Sequence, residues 1–287
     1  MSYNRRQFLK TGGAVAATLA AGSATDLFAA YKPIKTFGLQ LYTLRNDLPK
    51  DPQGVLKQVA SFGYKQIEGY EGAKGIYWGM SNKEFKKFTG DLGMTMISTH
   101  CDINKDFEKK AAEAGEIGMK YLICPAIGAQ KTVDDYKKFA DKFNACGEIC
   151  KKNGLRFAYH NHGYTFTALD GVMPQDVLMQ NTNADLVDFE MDIYWVATPG
   201  EDPIAWLKKY PNRFRLCHVK DRQKGADPKE HDASVDLGTG YLDFKTILKE
   251  AQKVGMKYYI VEQERYEGTT PLKAAEADAA YMKKLSI

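Results

Sequence analysis

Two histidines occupy alternate positions in the stretch Gly154–Phe166, which reads GLRFAYHNHGYTF. They are His160 and His162, and they use two of the 5 histidines of the chain. Alternate residues of a β-strand project from the same face, so both imidazoles are expected to point in one direction at the end of a strand. Imidazole binds divalent metals and also exchanges protons near neutral pH. This stretch is therefore the first candidate for a chemical site.

Pairs of ionisable residues with the same spacing end three further apolar stretches. The pairs are Glu190 with Asp192, His218 with Lys220, and Glu262 with Glu264. Such charges are costly to bury beside an apolar core unless they are paired or hold a metal. Our hypothesis is that the end of the histidine stretch joins Asp192, His218 and Glu262 in a metal-centred site. A purely ionic network is the alternative. Imidazole and carboxylate ligands together favour one divalent ion such as Mn²⁺, Zn²⁺, Co²⁺ or Fe²⁺.

A repeated phrase indicates the elements that carry these pairs. A helical stretch ends in glycine and a short apolar run follows, in copies beginning at Phe62, Leu92, Ile117, Asn153 and Val254. The glycine suits the residue after a helix, where a positive φ is needed, and the apolar run suits a strand buried on both faces of a parallel sheet. Three further strands are predicted at Phe37–Leu41, Leu186–Asp192 and Phe214–Val219.

Eight strands, each followed by helical sequence, predict an α/β protein with a single (β/α)₈ barrel, a TIM barrel. An open doubly wound sheet is the alternative, but no G-x-G-x-x-G follows the first strand, where a dinucleotide site would be expected. We predict one barrel domain over residues 31–287. Chemistry in such barrels gathers at the C-terminal ends of the strands, which is where the four pairs lie.

The N-terminal segment, residues 1–30, differs in composition from the rest. Arg5 and Arg6 precede the run TGGAVAATLAAGSA, a pattern typical of a twin-arginine export signal. The run is too short and too weakly apolar for a transmembrane helix. We therefore predict export to the periplasm or beyond, without stable membrane insertion, and cleavage around Ala24–Ala30. A cytoplasmic N-terminus is the alternative.

Composition excludes some partners. The chain of 287 residues carries a formal charge of +4 and is 44% hydrophobic and 26% charged, which is ordinary for a globular protein. The basic residues are spread too evenly for nucleic-acid binding. The 5 cysteines are an odd number, so we expect buried free thiols rather than a disulfide framework. The oligomeric state is not predicted.

From about Lys35 onward the chain resembles the xylose-isomerase-like superfamily of sugar isomerases and epimerases, which includes ketose 3-epimerases and inosose dehydratases. The similar stretches are FGLQLYTLR, the histidine stretch, DFEMDIYW, LCHVKDR, LGTGYLDF and YIVEQE. The resemblance implies one metal held by Glu, Asp, His and Glu on strands five to eight. Asp192, His218 and Glu262 match the last three positions. The first falls on His160, with His162 as the neighbouring alternative.

The resemblance also implies a mechanism, from which this chain departs twice. In the epimerases two glutamates flank the substrate, and one removes a proton that the other returns. His160 replaces the first glutamate, and Trp195 stands where many epimerases have a substrate-binding histidine. Glu262 is the family-matched base. Lys220 and His162 are further candidates for the proton acceptor, and an ion pair with Glu190 or Asp221 is the alternative role for Lys220.

The remaining candidates are substrate-binding residues at the ends of strands and in loops. Glu68 and His100 are expected on the opposite wall, where they bind hydroxyl groups or pair with each other. Trp78 lies in the glycine-rich loop GAKGIYWGM and is a candidate for part of a lid. The predicted substrate-binding set is Gln40, Tyr42, Glu68, His100, Trp78 and Trp195.

Together these features predict a metal-dependent isomerase or epimerase that acts on a small free sugar or keto-sugar. It would remove the proton next to a carbonyl and form an enediolate. One alternative is a lyase or dehydratase that eliminates from a keto-sugar or keto-glycoside, since elimination needs one base and one acid. The other is a sugar-binding barrel without catalysis.

Overall fold

The computed structural model describes Ile34 and residues 36–287, so the predicted signal segment lies outside the described residues. Eight parallel strands form a closed barrel in chain order, which confirms the predicted fold. The barrel closes where the first and last strands pair, with Gly38 opposite Ile260. The strands are β1 (Gly38–Gln40), β2 (Gln66–Tyr70), β3 (Thr95–His100), β4 (Tyr121–Cys124), β5 (Arg156–His160), β6 (Val187–Asp192), β7 (Phe214–Val219) and β8 (Tyr258–Val261).

Helices alternate with these strands. In the described part of the chain the α-helices span Pro52–Ser61, Asn82–Asp91, Phe107–Glu116, Val133–Lys152, Pro174–Asn181, Ile193–Ala197, Pro203–Lys209, Phe244–Lys253 and Pro271–Lys284. Local sequence explains several of their starts. Ser81, for example, accepts a hydrogen bond from the Glu84 amide while the Glu84 carboxylate accepts one from the Ser81 amide, a capping box that satisfies two free amide groups. None of these helices is long and apolar enough to cross a membrane.

The glycines of the repeated phrase adopt the predicted backbone conformation. All five have positive φ, from 72° to 100°, at Gly63, Gly93, Gly118, Gly154 and Gly255. Each follows a helix and turns the chain into the next strand, where a residue with a Cβ would be strained. The 5 cysteines are free and buried, as expected.

The first strand is shorter than predicted. It ends at Gln40 because the Gln40 side chain accepts a hydrogen bond from the Tyr42 amide and starts a 3₁₀ helix at Leu41–Leu44. Because of this turn, the Tyr42 side chain lies at the rim of the barrel, 39% exposed.

A loop with a short hairpin follows β7 and is held by one buried carboxylate. Asp221–Arg222 pairs with Ser234–Val235 in an antiparallel ladder. The Asp221 carboxylate accepts hydrogen bonds from the Gly238 and Gly240 amides at 2.9 and 3.0 Å. A Cβ at Gly240 would lie 2.2 Å from the Asp221 Oδ1 atom, so the turn requires glycine here. The amides of this turn are therefore used internally.

Candidate metal centre

Four ligand atoms from β5 to β8 converge at the C-terminal end of the barrel. They belong to His160, Asp192, His218 and Glu262, all buried, and they lie within 4.8 Å of one another. Asp192 Oδ2 is 3.4 Å from His160 Nε2 and 3.6 Å from His218 Nδ1, and the latter is 3.2 Å from Glu262 Oε2. A tetrahedron with metal–ligand distances of about 2.0–2.1 Å has ligand atoms about 3.3 Å apart. The spacing therefore fits a divalent ion.

Each imidazole bonds an outer partner through one nitrogen and turns the other nitrogen towards the cluster. His160 Nδ1 lies 2.9 Å from the Pro125 carbonyl oxygen, so it donates there and leaves Nε2 free to ligate. His218 Nε2 lies 2.8 Å from Glu68 Oε1, and its Nδ1 faces Glu262 Oε2 and Asp192 Oδ2 at 3.2 and 3.6 Å. Burial opposes protonation of His218, but Glu190 and Glu262 outweigh it and raise its pKa, so Nδ1 would release a proton on binding an ion. Outer partners of this kind orient histidines that bind metals. The donor set and its surroundings both fit a metal ion.

Asp192 is positioned by an asparagine that sequence reasoning missed. Asn161 lies between the two histidines of the β5 end and exchanges hydrogen bonds with the Asp192 backbone, both at 3.2 Å. The Asp192 Oδ1 atom also accepts a bond from the Trp195 amide at 3.1 Å. Because alternate residues of a strand face opposite sides, Asn161 points away from the two histidines. This alternation is the sequence feature that could have indicated its supporting role.

Lys220 and Glu264, the second members of the residue pairs that end β7 and β8, form ion pairs beside the candidate ligands. Lys220 Nζ is 3.2 Å from Glu262 Oε2 and also bonds Glu264. Burial opposes the charge of Lys220, but these two carboxylates outweigh it and raise its pKa. Burial also opposes the charge of Glu262, but Lys220 and His218 outweigh this effect and lower the pKa of Glu262. Lys220 is therefore an ammonium in this structure.

The partners of Lys220 differ from those considered from sequence. It does not pair with Glu190 or Asp221, because Asp221 is occupied by the β7 loop and Glu190 lies beneath with His100. The neighbouring strand β8 supplies Glu262 and Glu264 instead.

A second buried cluster lies below the candidate ligands and shares His218 with them. His100 Nε2 is 2.8 Å from Glu190 Oε2 and 3.2 Å from Glu68 Oε1. Burial opposes protonation of His100, but the two carboxylates raise its pKa to about 9. Burial, and after it the neighbouring Glu68 carboxylate, raises the pKa of Glu190. We call Glu68, His100, Glu190 and His218 the inner cluster, and His160, Asp192, His218 and Glu262 the outer cluster.

Two predicted substrate-binding residues belong to the layer beneath the cavity. Gln40 and Glu68 are fully buried. Gln40 Nε2 donates to Glu68 Oε1 at 2.8 Å, and Ser98 Oγ donates to Glu68 Oε2 at 2.5 Å. Glu68 thus supports His218. Neither Gln40 nor Glu68 is among the described residues that line the cavity, and direct substrate binding by this pair stays a prediction.

The outer cluster opens onto a cavity of about 550 Å³. Its lining includes the predicted residues Tyr42, His100, His160, His162 and Glu262. Glu264, Asp102 and Tyr70 also line it and were not predicted to bind substrate. Sites of this size hold small-molecule ligands.

Trp78 is not among the described residues that line this cavity, and its part in a lid over the substrate stays a prediction. It is 3% exposed and packs edge-to-face on Tyr70 with ring centroids 5.0 Å apart. The loop turns back at Trp78, which has a φ of 56°, and its indole lies so close to Gly72 that a Cβ there would be 2.6 Å away.

His162 stands apart from the four ligand atoms. Its ring stacks on Tyr164 with centroids 5.6 Å apart and lies 5.3 Å from the Trp195 ring. Burial, and after it the neighbouring His160, lowers its pKa to about 3, so it is neutral at ordinary pH. Of the two histidines left open by the sequence, the structure brings His160 to the outer cluster. The role of His162 in proton transfer stays a prediction.

Comparison with known proteins identifies related families. Residues 56–285 match the family model described as Xylose isomerase-like TIM barrel. Residues 2–22 match the twin-arginine translocation signal, which confirms the predicted export signal.

Individual relatives are similar over different lengths. An inosose dehydratase of Clostridium beijerinckii is 29% identical over 160 residues, 51% of this chain and 49% of that protein. The chain thus spans about half the length of the curated relatives it matches. A sugar phosphate isomerase/epimerase structure from Parabacteroides distasonis is 30% identical, with a TM-score of 0.74 over 90% of this chain and 96% of that one. The IOLI protein, solved with a zinc atom, is 16% identical with a TM-score of 0.72 over 85% of this chain and 95% of that one.

Proposed function

Because the chain belongs to the xylose isomerase-like TIM barrel family, we propose that it is a metal-dependent enzyme that removes a proton from the carbon next to a sugar carbonyl. The observation that carries the proposal is the outer cluster, whose two imidazoles each turn one nitrogen inward while the other bonds Pro125 or Glu68. Its donor set suits zinc as well as Mn²⁺, Co²⁺ or Fe²⁺. When bound, such an ion supplies a Lewis acid beside the sugar oxygens.

We assign the roles of base and proton donor to Glu262 and Lys220. Glu262 lines the cavity and is the family-matched base, so in this proposal its carboxylate accepts the proton next to the carbonyl. Lys220 and His218 lower its pKa, so this role requires that ligand binding weaken those ion pairs. Lys220 contacts Glu262 as an ammonium and supplies positive charge as the enediolate forms. Its charge argues against the base role considered from sequence. As a proton donor it would act where the ligand weakens the pairs with Glu262 and Glu264, which raise its pKa.

The substrate in this proposal is a sugar without phosphate. The loop after β7, where barrels often bind phosphate, has its Gly238 and Gly240 amides committed to Asp221. The cavity is lined by several carboxylates, Glu71, Asp102, Glu262 and Glu264, which would repel a phosphate group.

Elimination is the second candidate outcome, and one observation favours it. Where the epimerases carry their first glutamate, this site has the imidazole of His160, which the structure turns towards the ligands. The site therefore has an acid and a base of different type, Lys220 and Glu262, which suits loss of water or another leaving group. The similarity to inosose dehydratases agrees with this outcome.

Solvent deuterium exchange and metal analysis test the proposal. The purified chain, loaded with zinc or manganese, is incubated in D₂O with a panel of aldoses, ketoses and keto-sugars. Deuterium at the carbon next to the carbonyl supports proton abstraction, and an unsaturated product supports elimination. Sugar binding without any exchange would leave a non-catalytic sugar-binding barrel and overturn the proposal.

Matched variants test the site itself. His160→Ala and Glu262→Ala should each lose bound metal, whereas His231→Ala and Glu267→Ala, which remove the same residue types outside the cluster, should retain it. Unchanged metal content in both site variants would show that the outer cluster is not the metal site.

A further inference from the structure

A second cavity, of about 490 Å³, lies beside the candidate metal centre. His162 lines both cavities. The loop after β4 also borders both, since Pro125 and Ala126 line the first cavity while Ala129 and Gln130 line the second. The two spaces are therefore neighbours along one loop, with the His162 ring between them.

The size of the two cavities argues for a ligand larger than one sugar ring. Each lies within the range of about 300–1,000 Å³ that suits a drug-sized ligand. A monosaccharide next to the outer cluster would fill at most the first cavity, and the second would hold only solvent. A sugar that carries a substituent would use both.

The chemistry of the second cavity defines that substituent. None of the described residues that line it is Asp, Glu, Lys or Arg, in contrast to the four carboxylate residues of the first cavity. Its walls are aromatic and aliphatic, with Tyr136, Tyr164, Trp195 and Leu169 among them. Apolar walls of this kind favour an aromatic or aliphatic group and disfavour a charged one.

Packed rings form the boundary between the cavities. The His162 ring is held in place by stacking on Tyr164, whose hydroxyl accepts bonds from the Ile127 and Gly128 amides at 3.0 and 3.1 Å. The Trp195 ring lies 5.3 Å from the His162 ring and lines the second cavity. The position of this boundary is therefore fixed by packing.

We propose that the second cavity binds an apolar or aromatic group joined to the sugar, so that the substrate class is a glycoside rather than a free monosaccharide. This inference rests on the proposed function for the placement of the sugar beside the outer cluster. The bond between sugar and substituent would then lie near His162 and Trp195.

Binding of two glycosides tests the inference without catalysis. Phenyl β-D-glucopyranoside and methyl β-D-glucopyranoside are titrated into the zinc-loaded full chain by calorimetry. Because an apolar pocket discriminates by about tenfold or more for each well-buried group, the phenyl glycoside should bind at least about tenfold more tightly. Equal affinities, or no binding of the phenyl glycoside at millimolar concentration, would overturn the inference.

A filled cavity provides the matched control. Ala129 is exposed and lines the second cavity, so Ala129→Trp should remove the preference for the phenyl glycoside. Ala145→Trp makes the same change on the exposed surface of the helix Val133–Lys152 and should keep the preference. If both variants keep it, the phenyl group binds elsewhere and the inference fails.

Failure of the inference and failure of the proposed function give different results. Deuterium exchange by the wild-type protein, into either a free keto-sugar or a keto-glycoside, decides the proposed function. The phenyl-to-methyl affinity ratio decides the second cavity. Exchange with no phenyl preference rejects only the further inference, and a phenyl preference with no exchange rejects only the enzymatic proposal.

Discussion

The inner and outer clusters are built from the same residue types and share His218, but their hydrogen bonding differs. In the inner cluster the separations between imidazole nitrogen and carboxylate oxygen run from 2.8 to 3.4 Å. In the outer cluster they run from 3.2 to 3.6 Å. Both clusters are compact enough to hold an ion, but the inner cluster contains the shorter hydrogen bonds.

The two clusters also differ in what lies next to them. In the inner cluster Gln40 and Ser98 donate to the buried Glu68, and His100 reaches the cavity of about 550 Å³. In the outer cluster both His160 and Glu262 line that cavity. Residue type alone does not separate a metal site from an ion network. The partner of a histidine's second nitrogen adds information, because it orients the ring and fixes which nitrogen faces the ligand atoms.

Replacing a carboxylate in each cluster should give the largest difference between them. Glu262→Gln removes the proposed base and should lower the deuterium exchange rate by about 10²–10⁴-fold. Glu190→Gln keeps the hydrogen-bonding shape of the inner cluster and should lower the rate by less than about tenfold, a limit set well below the loss of a catalytic base. Exchange rates with a keto-sugar in D₂O measure both. Equal losses in the two variants would contradict the division into a reactive and a supporting cluster.

The pH dependence of stability should sharpen the same comparison in metal-free protein. The pKa of His100 is raised from 6.5 to about 9 by Glu68 and Glu190, against the effect of burial. Its contribution to stability is therefore complete below about pH 6.5 and is lost as the pH rises through about 9. The loss is on the order of 3 kcal/mol.

Urea unfolding of the EDTA-treated chain between pH 6 and 10 measures this loss. His100→Gln should flatten the pH dependence in that window, because it removes the titrating group between the two carboxylates. A steeper fall in stability in the variant than in the wild type would contradict this assignment.

Breaking the link between the clusters should have an intermediate effect. Glu68→Gln weakens the acceptor that orients His218, and removal of such an outer partner lowers metal affinity by about 10–100-fold. Competition with a chelator of known affinity measures the change. Glu116→Gln, which alters an exposed ion pair with Lys83, should leave metal affinity unchanged. No change in Glu68→Gln would mean that the inner cluster does not support the metal site.

The smallest effect is expected at the support of Glu68. Ser98→Ala removes a buried hydrogen bond of 2.5 Å to Glu68 Oε2, which should lower the free energy of unfolding by about 1.5 kcal/mol. Metal affinity should fall by less than about tenfold, since Gln40 still holds Glu68. Urea unfolding beside the exposed control Ser61→Ala provides the measurement. A larger effect on metal affinity than in Glu68→Gln would reverse the proposed order of support.

The sequence by itself determined the barrel and the strand ends that carry the chemistry. A glycine after a helix, followed by a short apolar run, recurs often enough for the strands to be counted. Both features can be read from the local sequence, because the glycine serves the positive φ after the helix and the apolar run serves burial of the strand on both faces. Side chains alternate between the two faces of a strand, and this alternation can be read without tertiary information. It predicted that Asp192, His218 and Glu262 face the same side as the histidines at the end of β5.

The tertiary structure alone decided the depth of each side chain and its partner across the barrel. Gln40 and Glu68 have the same alternation as the ligands, yet they lie in the layer below and hold His218. Lys220 pairs with Glu262 and Glu264 at the end of β8 rather than with Asp221, its neighbour in the sequence. Trp78 is buried behind Tyr70. Alternation specifies the face of a strand but not the height in a closed barrel. That height depends on how all eight strands are staggered when the sheet closes.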